Sequence, residues 1–479
     1  MKKLIGLVAV LMLLLTGCDS VIAVYIPEDD TATDYNLEFS ESDLDSSYTV
    51  NGSSYITLGD EDISITKGGT YILEGTLNGS IIVDVTKDYS VQLVLNNVTI
   101  NSGDFAGIYI IEADNVTITL ADGSTNTISD SSEYTLIDDN NVDALIYSKA
   151  DLTINGTGTL VLNSSYNHGI VSKDDLVITG GTYNIDVAGQ GLRGKDCVKI
   201  SDGNFTINSG KDAIKSDNEE DEYRGYVYIT GGTFNINSLA DGIYGYNMVD
   251  IEGGEFSITT SKSSDADSYK GIKSSLYIYI NGGTIDINSA DDGIHSDGNV
   301  YIVDGTIDIN SSDDGIHANG MLQIDGGNIT ISGYEGLEAT YIVINGGTIY
   351  ITATDDGINA TNTLTSTYSC AVEINGGYVN VTVGQGDTDG IDSNGYIYIN
   401  GGTVEINAQN PLDCDGGQEW NGGTVIINGE EVDELPTDMM AGAGGMGQTG
   451  GFGTMPNSSD FSTNGNSGNS GFYGPGGHH

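Results

Sequence analysis

The stretch that decides the fold is residues 277–310, YIYINGGTIDINSADDGIHSDGNVYIVDGTIDIN. It contains the phrase apolar-x-apolar-x-Gly-Gly-Thr-apolar-x-apolar, in which apolar and polar residues alternate on both sides of a glycine pair. Alternation with a period of two predicts β-strands, and the glycine pair predicts a sharp turn where a side chain would be costly. We therefore expect short strands joined by tight turns, with no helix between them.

The glycine phrase recurs along the chain at a nearly constant spacing. Its second glycine, or the equivalent residue, falls at positions 181, 203, 232, 254, 283, 305, 327, 347, 377, 402 and 423. The steps between them are 22, 29, 22, 29, 22, 22, 20, 30, 25 and 21 residues. A basal step near 22 with occasional insertions indicates a solenoid whose loops absorb the extra residues. Several short strands per repeat favour an all-β, parallel β-helix with successive coils about 4.8 Å apart.

The alternation also predicts which side chains face the core. The residue after each Gly-Gly-Thr and the residue two places later are expected to point inward, so that similar side chains stack from coil to coil. Burial of each large apolar side chain contributes about 1.5–3 kcal/mol, so these columns should hold the fold together. The first column is Phe205, Phe234, Phe256, Ile285, Ile307, Ile329, Ile349, Val379 and Val404. The second is Ile207, Ile236, Ile258, Ile287, Ile309, Ile331, Ile351, Val381 and Ile406.

The charge balance excludes one broad class of function. The chain has 15 Lys and Arg against 69 Asp and Glu, a net charge of −54. A general nucleic-acid binder needs a basic surface to neutralise phosphates, so nucleic acid is excluded as a partner. So many carboxylates instead favour metal cations. The four cysteines are too few for a disulfide scaffold, and Cys197, Cys370 and Cys414 lack the spacing of a zinc site.

The two ends of the chain differ from the repeats. Residues 1–17 have the pattern of a lipoprotein signal peptide, and Leu15-Thr16-Gly17-Cys18 resembles a bacterial lipobox. That resemblance implies lipidation of Cys18 and a lipid anchor on the extracellular face of the membrane; the alternative is an ordinary cleaved signal. The remaining segments are predicted as an acidic spacer (18–50), irregular N-terminal β coils with a cap (51–160), the regular parallel β-helix (161–430) and a Gly-rich disordered tail (431–479).

A second phrase, acid-Gly-Ile-x-small, lies between the glycine turns and carries the candidate chemistry. Because the repeats are in register, its acids should stack along one edge. Two carboxylates about 4.8 Å apart repel by roughly 3–4 kcal/mol at an effective dielectric near 20, so the ladder needs protons or a bridging cation. Calcium suits the bridge because it takes about six to eight hard oxygen ligands, whereas magnesium prefers to keep its waters. The alternative is a solvated acidic edge.

The predicted cofactor is therefore calcium. One ion is expected at Asp356, Asp389 and Asp392, and Asp292 and Asp314 are expected to contribute to another. The full set of predicted ligands is Asp291, Asp292, Asp313, Asp314, Glu335, Glu338, Asp355, Asp356, Asp389, Asp392 and Asp413.

Histidines and tyrosines supply candidate sugar contacts. His295 and His317 occupy the same position in adjacent copies and are expected to hydrogen-bond a sugar, with a transition-metal site as the alternative. Tyr228, Tyr279 and Tyr398 alternate with inward residues, so they should face outward and offer rings to a sugar; the alternative is that Tyr has high β propensity. Tyr228 and Tyr279 are expected two coils apart, about 9.6 Å. Two residues earlier, Tyr226, Tyr277 and Tyr396 are expected on the same outward face.

The Gly-Gly-Thr turns and Asp-Asp-Gly-Ile loops, behind a lipobox, resemble a family of bacterial cell-surface carbohydrate-binding proteins. The studied clostridial member of that family binds cellulose and acid sugars. The resemblance covers residues 50–430 and implies a right-handed parallel β-helix, calcium binding and similarity to pectate lyases of polysaccharide lyase family nine. It further implies cellulose or an acidic, pectin-like glycan as the partner. We expect a monomer.

The resemblance leaves open whether the protein is an enzyme. Family-nine lyases hold calcium in an Asp-Asp-Gly-apolar-Asp core beside a lysine base. The segment 389–392, Asp-Gly-Ile-Asp, matches most of that core, with Thr388 in place of the first Asp, but no lysine follows residue 273. A calcium-dependent polyuronate lyase would therefore have to use Lys215 or Lys273 as its base. A binding protein is favoured, and a purely structural surface protein is the third interpretation.

Overall fold

The computed structural model describes residues 35–50, 52–263, 268–361, 366–386 and 388–436. Within them the predicted all-β class is confirmed, since 43 strands form one sheet and the only helix is α1, Glu41–Leu44. No described helix is long and apolar enough to cross a membrane. The predicted signal peptide, Cys18 and nearly all of the predicted tail lie outside the described residues.

The strands follow one another with short connections. The first 22 are β1 (Ser54–Thr57), β2 (Ile63–Ile65), β3 (Gly69–Leu77), β4 (Ile81–Asp84), β5 (Val91–Gly103), β6 (Ile108–Glu112), β7 (Asn115–Leu120), β8 (Thr125–Asp130), β9 (Ala144–Ser148), β10 (Asp151–Gly156), β11 (Thr159–Ser164), β12 (His168–Ser172), β13 (Asp175–Ile178), β14 (Thr182–Val187), β15 (Leu192–Gly194), β16 (Cys197–Ile200), β17 (Asn204–Ser209), β18 (Ile214–Ser216), β19 (Tyr226–Ile229), β20 (Thr233–Ser238), β21 (Ile243–Gly245) and β22 (Met248–Ile251). The others are β23 (Glu255–Thr260), β24 (Ile272–Ser274), β25 (Tyr277–Ile280), β26 (Thr284–Ser289), β27 (Ile294–Ser296), β28 (Asn299–Ile302), β29 (Thr306–Ser311), β30 (Ile316–Ile324), β31 (Asn328–Gly333), β32 (Leu337–Ile344), β33 (Thr348–Ala353), β34 (Ile358–Ala360), β35 (Ala371–Ile374), β36 (Tyr378–Val383), β37 (Asp389–Ser393), β38 (Tyr396–Ile399), β39 (Thr403–Asn407), β40 (Asn410–Cys414), β41 (Gly417–Trp420), β42 (Thr424–Ile427) and β43 (Glu430–Glu431).

Each strand of the regular region pairs in parallel with the equivalent strand of the next repeat, which gives three ladders. The core ladder contains the strands that follow the glycine pairs, such as β17, β20, β23 and β26. The charged ladder contains the short strands of the acid phrase, such as β21, β24, β27 and the start of β30. The tyrosine ladder contains the strands that precede the glycine pairs, such as β19, β22, β25 and β28. The last pair, β42 and β43, is antiparallel.

The predicted inward columns lie in the core. Phe205, Phe234 and Phe256 are Cα partners in register and are at most 3% exposed. Their rings continue from Tyr183 as one parallel stack, with centroids 4.7, 4.7 and 4.6 Å apart. This spacing equals the strand spacing of a sheet, about 4.7–4.9 Å, so each ring covers the face of the next.

The glycine pairs allow the repeats to stack at their sharpest turn. Gly283 has a φ of 95°, and a Cβ there would lie 2.9 Å from the carbonyl oxygen of Gly254. Gly232 repeats this, with a φ of 108° and the Gly203 oxygen at 3.0 Å. Any side chain would strain the backbone and collide with the preceding repeat, which explains why glycine recurs here.

The N-terminal residues from 35 onward lie against the tyrosine ladder, which the sequence did not predict. The Tyr226 hydroxyl donates to the Asn36 carbonyl at 2.8 Å, and Lys199 Nζ donates to the Glu38 carbonyl at 2.8 Å. Further along, Thr153 Oγ1 donates to Asp43 Oδ1 at 2.7 Å. Part of the segment predicted as a spacer is therefore packed, and we call residues 35–45 the N-terminal strap.

The aromatic stack provides a test of the core. Phe234→Ala should destabilise the protein by about 3–5 kcal/mol, because it removes a buried ring and leaves a cavity between two others. Chemical denaturation followed by circular dichroism measures the change. The neighbouring exposed variant Asn235→Ser should stay within about 0.5 kcal/mol of the parent protein. Equal stability of the two variants would contradict the core assignment.

Candidate functional site

The charged ladder presents one outward side chain per repeat, immediately after a buried aliphatic residue. Strand register brings these residues into a single column whose character changes along its length. It begins with basic residues, passes through two histidines and ends in carboxylates. From residue 274 onward the chain contains neither Lys nor Arg. In order, the column is Arg193, Lys215, Tyr244, Lys273, His295, His317, Glu338, Asn359, Asp392 and Asp413.

A second column lies three residues earlier and contains, in most copies, the acid that immediately precedes the glycine. Several of its carboxylates accept a backbone N–H from the next repeat. Asp292 Oδ1 accepts from Asp314 N at 3.2 Å, and Asp356 Oδ1 accepts from Asp389 N at 2.7 Å. The stacked acids therefore have a structural role, which offsets part of their mutual repulsion. The column is Asp212, Asp241, Lys270, Asp292, Asp314, Glu335, Asp356 and Asp389.

Lysines neutralise the acids at the basic end. Lys215 Nζ lies 2.9 Å from Asp212 Oδ2, and Lys273 Nζ lies 3.9 Å from Asp241 Oδ2. The Tyr244 ring lies between the two ammonium groups, at 4.7 and 5.4 Å. Both candidate lyase bases are thus engaged as charged partners of aspartates.

Lys270 is a residue that the sequence analysis missed. Its Nζ lies 2.9 Å from both Asp291 Oδ2 and Asp292 Oδ2. Although burial opposes it, the hydrogen bond from His295 and the charge of Lys270 hold the pKa of Asp292 well below its usual range. The segment 270–273, Lys-Gly-Ile-Lys, has the form of the acid phrase with Lys in place of the acid, so a search without that requirement finds it.

The two histidines lie among carboxylates. His295 Nδ1 is 2.7 Å from Asp292 Oδ2. His317 Nδ1 is 3.0 Å from both Asp314 Oδ2 and Glu338 Oε2. Burial lowers the pKa of His317, but its hydrogen bonds to Asp314 and Glu338 outweigh burial and raise that pKa to about 11. The structure therefore places both predicted sugar-binding histidines where their inner nitrogens contact acids.

At the acidic end, three carboxylates converge without a basic residue. One oxygen each of Asp389, Asp392 and Asp413 lies within 4.8 Å of the others. Burial, followed by the charges of Asp356 and Asp413, raises the pKa of Asp392 to about 6. In the preceding repeat, Asn359 Oδ1 is buried and has no hydrogen-bond partner among the described residues. Among the described residues, therefore, no basic side chain pairs with this cluster, and a neighbouring amide oxygen that could bind a metal has no hydrogen-bond partner.

The structure brings together several predicted metal ligands and separates others. Asp291, Asp292 and Asp313 have oxygens within 4.8 Å of one another, beside Lys270. Glu335 accepts both hydrogen bonds of the Asn359 amide, at 3.1 and 3.0 Å. The remaining predicted ligands, Asp355 and Asp356, lie one repeat before the cluster of Asp389, Asp392 and Asp413.

The tyrosine ladder carries the predicted outward rings. Tyr228 and Tyr279 lie two repeats apart as predicted, with Asp250 between them. Tyr279 stacks on Tyr301 at 5.0 Å and 8°. Because these faces cover each other, the surface presents ring edges and hydroxyls. Tyr301 escaped the sequence search because its strand precedes Asp304-Gly305 instead of a glycine pair.

The outward tyrosines differ in exposure. Tyr396 is 47% exposed and stacks on Tyr398 at 5.8 Å. Tyr226, by contrast, is only 1% exposed. Tyr226 is buried because the N-terminal strap covers that part of the tyrosine ladder, with the ring of Tyr35 at 5.3 Å.

Comparison with known proteins gives three findings. A family model described as carbohydrate-binding domain-containing protein matches residues 59–315 and 302–434. A carbohydrate-binding domain-containing protein of Acetivibrio thermocellus is 38% identical over 189 residues, which are 38% of this chain and 65% of that relative's length. A solved structure, the gadolinium derivative of a polysaccharide lyase-like protein from C. thermocellum, is 34% identical with a TM-score of 0.43. That alignment covers 49% of this chain and 96% of the solved chain.

Asp250 provides a test of the electrostatics of the tyrosine ladder. Burial and then the charge of Glu252 raise its pKa from 3.8 to about 7. The folded state therefore binds more protons than the unfolded state, and stability should fall as pH rises from about 4 to about 7. Asp250→Asn should raise the melting temperature by roughly 2 °C at pH 8 and leave it nearly unchanged at pH 4.

The exposed Asp186 is the matched control, and Asp186→Asn should give the same small change at both pH values. An Asp250→Asn effect that is equal at pH 4 and pH 8 would contradict the assigned titration.

Proposed function

We propose that this chain, which belongs to the family of carbohydrate-binding domain-containing proteins, binds polysaccharide at the bacterial cell surface and is stabilised by calcium. The observation that carries the proposal is the family match over residues 59–315 and 302–434. Those residues include the tyrosine ladder and the charged ladder. The proposed ligand is cellulose or an acidic, pectin-like glycan.

We propose further that the three ladders wind as a right-handed parallel β-helix. Short parallel strands that pair from repeat to repeat are what such a helix requires. Parallel strands of one sheet are nearly always connected with right-handed geometry, because of the strand twist. An extended glycan could then run along the repeats and meet the same kind of side chain at every step.

The tyrosine ladder is the proposed sugar-binding face. Its outward rings at Tyr228, Tyr279, Tyr301 and Tyr398 present hydroxyls and apolar edges, a combination that suits the polar rim and apolar face of a sugar ring. Asp250 lies in the same face but is only 6% exposed, and Asn299 Oδ1 already accepts from Met321 N at 2.8 Å, so the tyrosine hydroxyls are the proposed hydrogen-bonding groups. His295 and His317 stay predicted sugar contacts. Because their Nδ1 atoms contact Asp292, Asp314 and Glu338, a glycan would have to meet the opposite edge of each ring.

Calcium is the proposed cofactor at the acidic end. Asp389, Asp392 and Asp413 supply carboxylate oxygens, and the partnerless Asn359 Oδ1 supplies a neutral oxygen one repeat away. Calcium accepts both kinds of donor. Bound there, it would relieve the repulsion among three converging carboxylates. Lys270 or a histidine partly compensates the charge of four other predicted ligands, Asp291, Asp292, Asp314 and Glu338.

A calcium-dependent polyuronate lyase is disfavoured by the placement of the bases. Lys273 lies five repeats from Asp392 in the outward column, or about 24 Å. Such a base could not reach a sugar held at the acidic cluster. The proposed lipid anchor at Cys18 lies outside the described residues and would place the protein on the extracellular face of the membrane.

Calcium should raise the melting temperature by mass action, because it binds the folded chain. We expect the double variant Asp389→Asn, Asp392→Asn to lose most of that rise and stay folded, since the core columns are untouched. The control pair is Asp286→Asn with Asp308→Asn, two exposed acids that are also in register. If chelator leaves the melting temperature of the parent protein unchanged, the calcium proposal fails.

Binding to insoluble polysaccharide tests the sugar face. Tyr279→Ala combined with Tyr301→Ala should weaken binding at least about tenfold, a loss of about 1.4 kcal/mol. Tyr350→Ala, at a 48% exposed tyrosine of the core ladder, should bind normally. Equal binding by both variants would place the sugar site elsewhere. Unsaturated product from pectate and calcium would instead support the lyase.

A further inference from the structure

We propose that Asp314, His317 and Glu338 form a binding site for a divalent transition metal of the zinc and cobalt class. The site lies in the middle of the charged ladder, and Glu338, its ligand nearest to Asp392, is two repeats or about 10 Å from that residue. It does not depend on the proposed sugar or calcium function.

The ligand atoms are already in place. His317 Nδ1 lies 3.0 Å from Asp314 Oδ2 and 3.0 Å from Glu338 Oε2. All three donor atoms lie within 4.8 Å of one another. A tetrahedral metal with bonds of about 2.1 Å holds its ligands about 3.4 Å apart, so binding needs only a small outward movement.

The outer nitrogen of the histidine supplies an independent argument. His317 Nε2 lies 3.2 Å from Asn319 Oδ1, an acceptor outside the cluster. A metal-binding histidine commonly donates its second N–H to such an acceptor, which leaves the other nitrogen's lone pair for the metal. His295 repeats the arrangement, with Nε2 3.2 Å from Asp297 Oδ1. In both histidines Nδ1 faces the carboxylates and Nε2 faces an acceptor outside the cluster, so the ring orientation that a metal at Nδ1 needs is already present.

The charges of the cluster favour a cation. His317 Nδ1 faces one oxygen of Asp314 and one of Glu338, so a cation bound there would lie between two carboxylates. With His317 neutral, two carboxylates balance one divalent ion.

The ligand set selects the metal. An imidazole nitrogen with two carboxylates suits zinc and its neighbours, whereas calcium prefers oxygen ligands throughout. The adjacent group of Asp292, His295 and His317 is the weaker candidate, because the Lys270 ammonium lies 2.9 Å from Asp292 Oδ2 and would repel a metal. No basic side chain pairs with Asp314 or Glu338 among the described residues except His317 itself.

Cobalt(II) is the probe, because its visible absorption reports its ligands. The full chain, freed of metal, should bind one equivalent of cobalt at pH 7.5, measured by its visible absorption. Zinc should displace the cobalt, and a hundredfold excess of calcium should not. These three measurements use the parent protein, so they do not depend on the folding of a variant.

Variants then locate the site. His317→Asn and Glu338→Gln should each weaken cobalt binding at least tenfold, with unchanged far-ultraviolet circular dichroism. Asp392→Asn should change it less than twofold, because that residue belongs to the proposed calcium cluster. The proposal is overturned if the parent protein binds no stoichiometric cobalt, if calcium displaces it, or if His317→Asn binds as tightly as Asp392→Asn.

Discussion

Vertical stacking of like side chains at the strand spacing is the constraint on which the rest of the structure depends. Phe205, Phe234 and Phe256 show it most plainly, with rings parallel to within 2° and about as far apart as the strands. The Ile columns beside them are equally buried. Because every repeat must present a matching side chain, the register of one ladder fixes the register of the other two.

The same register places charged residues close together in columns. The repulsion among the stacked carboxylates is offset in different ways along the chain. Backbone N–H groups satisfy one oxygen of Asp292 and of Asp356. Lysines pair with the acids at the basic end, and a proton held by His317 serves in the middle. No basic residue within the described part of the chain pairs with Asp389, Asp392 and Asp413, which is why a cation is proposed there. One geometric rule thus produces several distinct electrostatic environments.

Much of the fold was predictable from the sequence because the same pattern of residues recurs in every repeat. The period of two located the strands, the glycine pairs located the turns, and both inward columns follow from them. Long-range contacts were not predictable in this way. The sequence of residues 35–45 does not indicate that they cover Tyr226. The strap contacts strands more than a hundred residues later in the chain, and no local pattern encodes such a contact. Lys270 was missed because it stands where the other copies of the phrase have an acid, so the segment was not recognised as a copy. The stacking of Tyr279 on Tyr301 depends on side-chain orientation, which alternation alone does not give.

The central claim is that a polysaccharide binds the outward face of this repeat protein and that calcium at the acidic end stabilises the folded chain. A glycan array probed with the labelled protein tests it most directly, once in calcium and once with chelator. The account predicts binding to a restricted set of cellulose-like or uronate-containing glycans, with weaker signals when calcium is removed. Absence of binding to every glycan in the presence of calcium would contradict it.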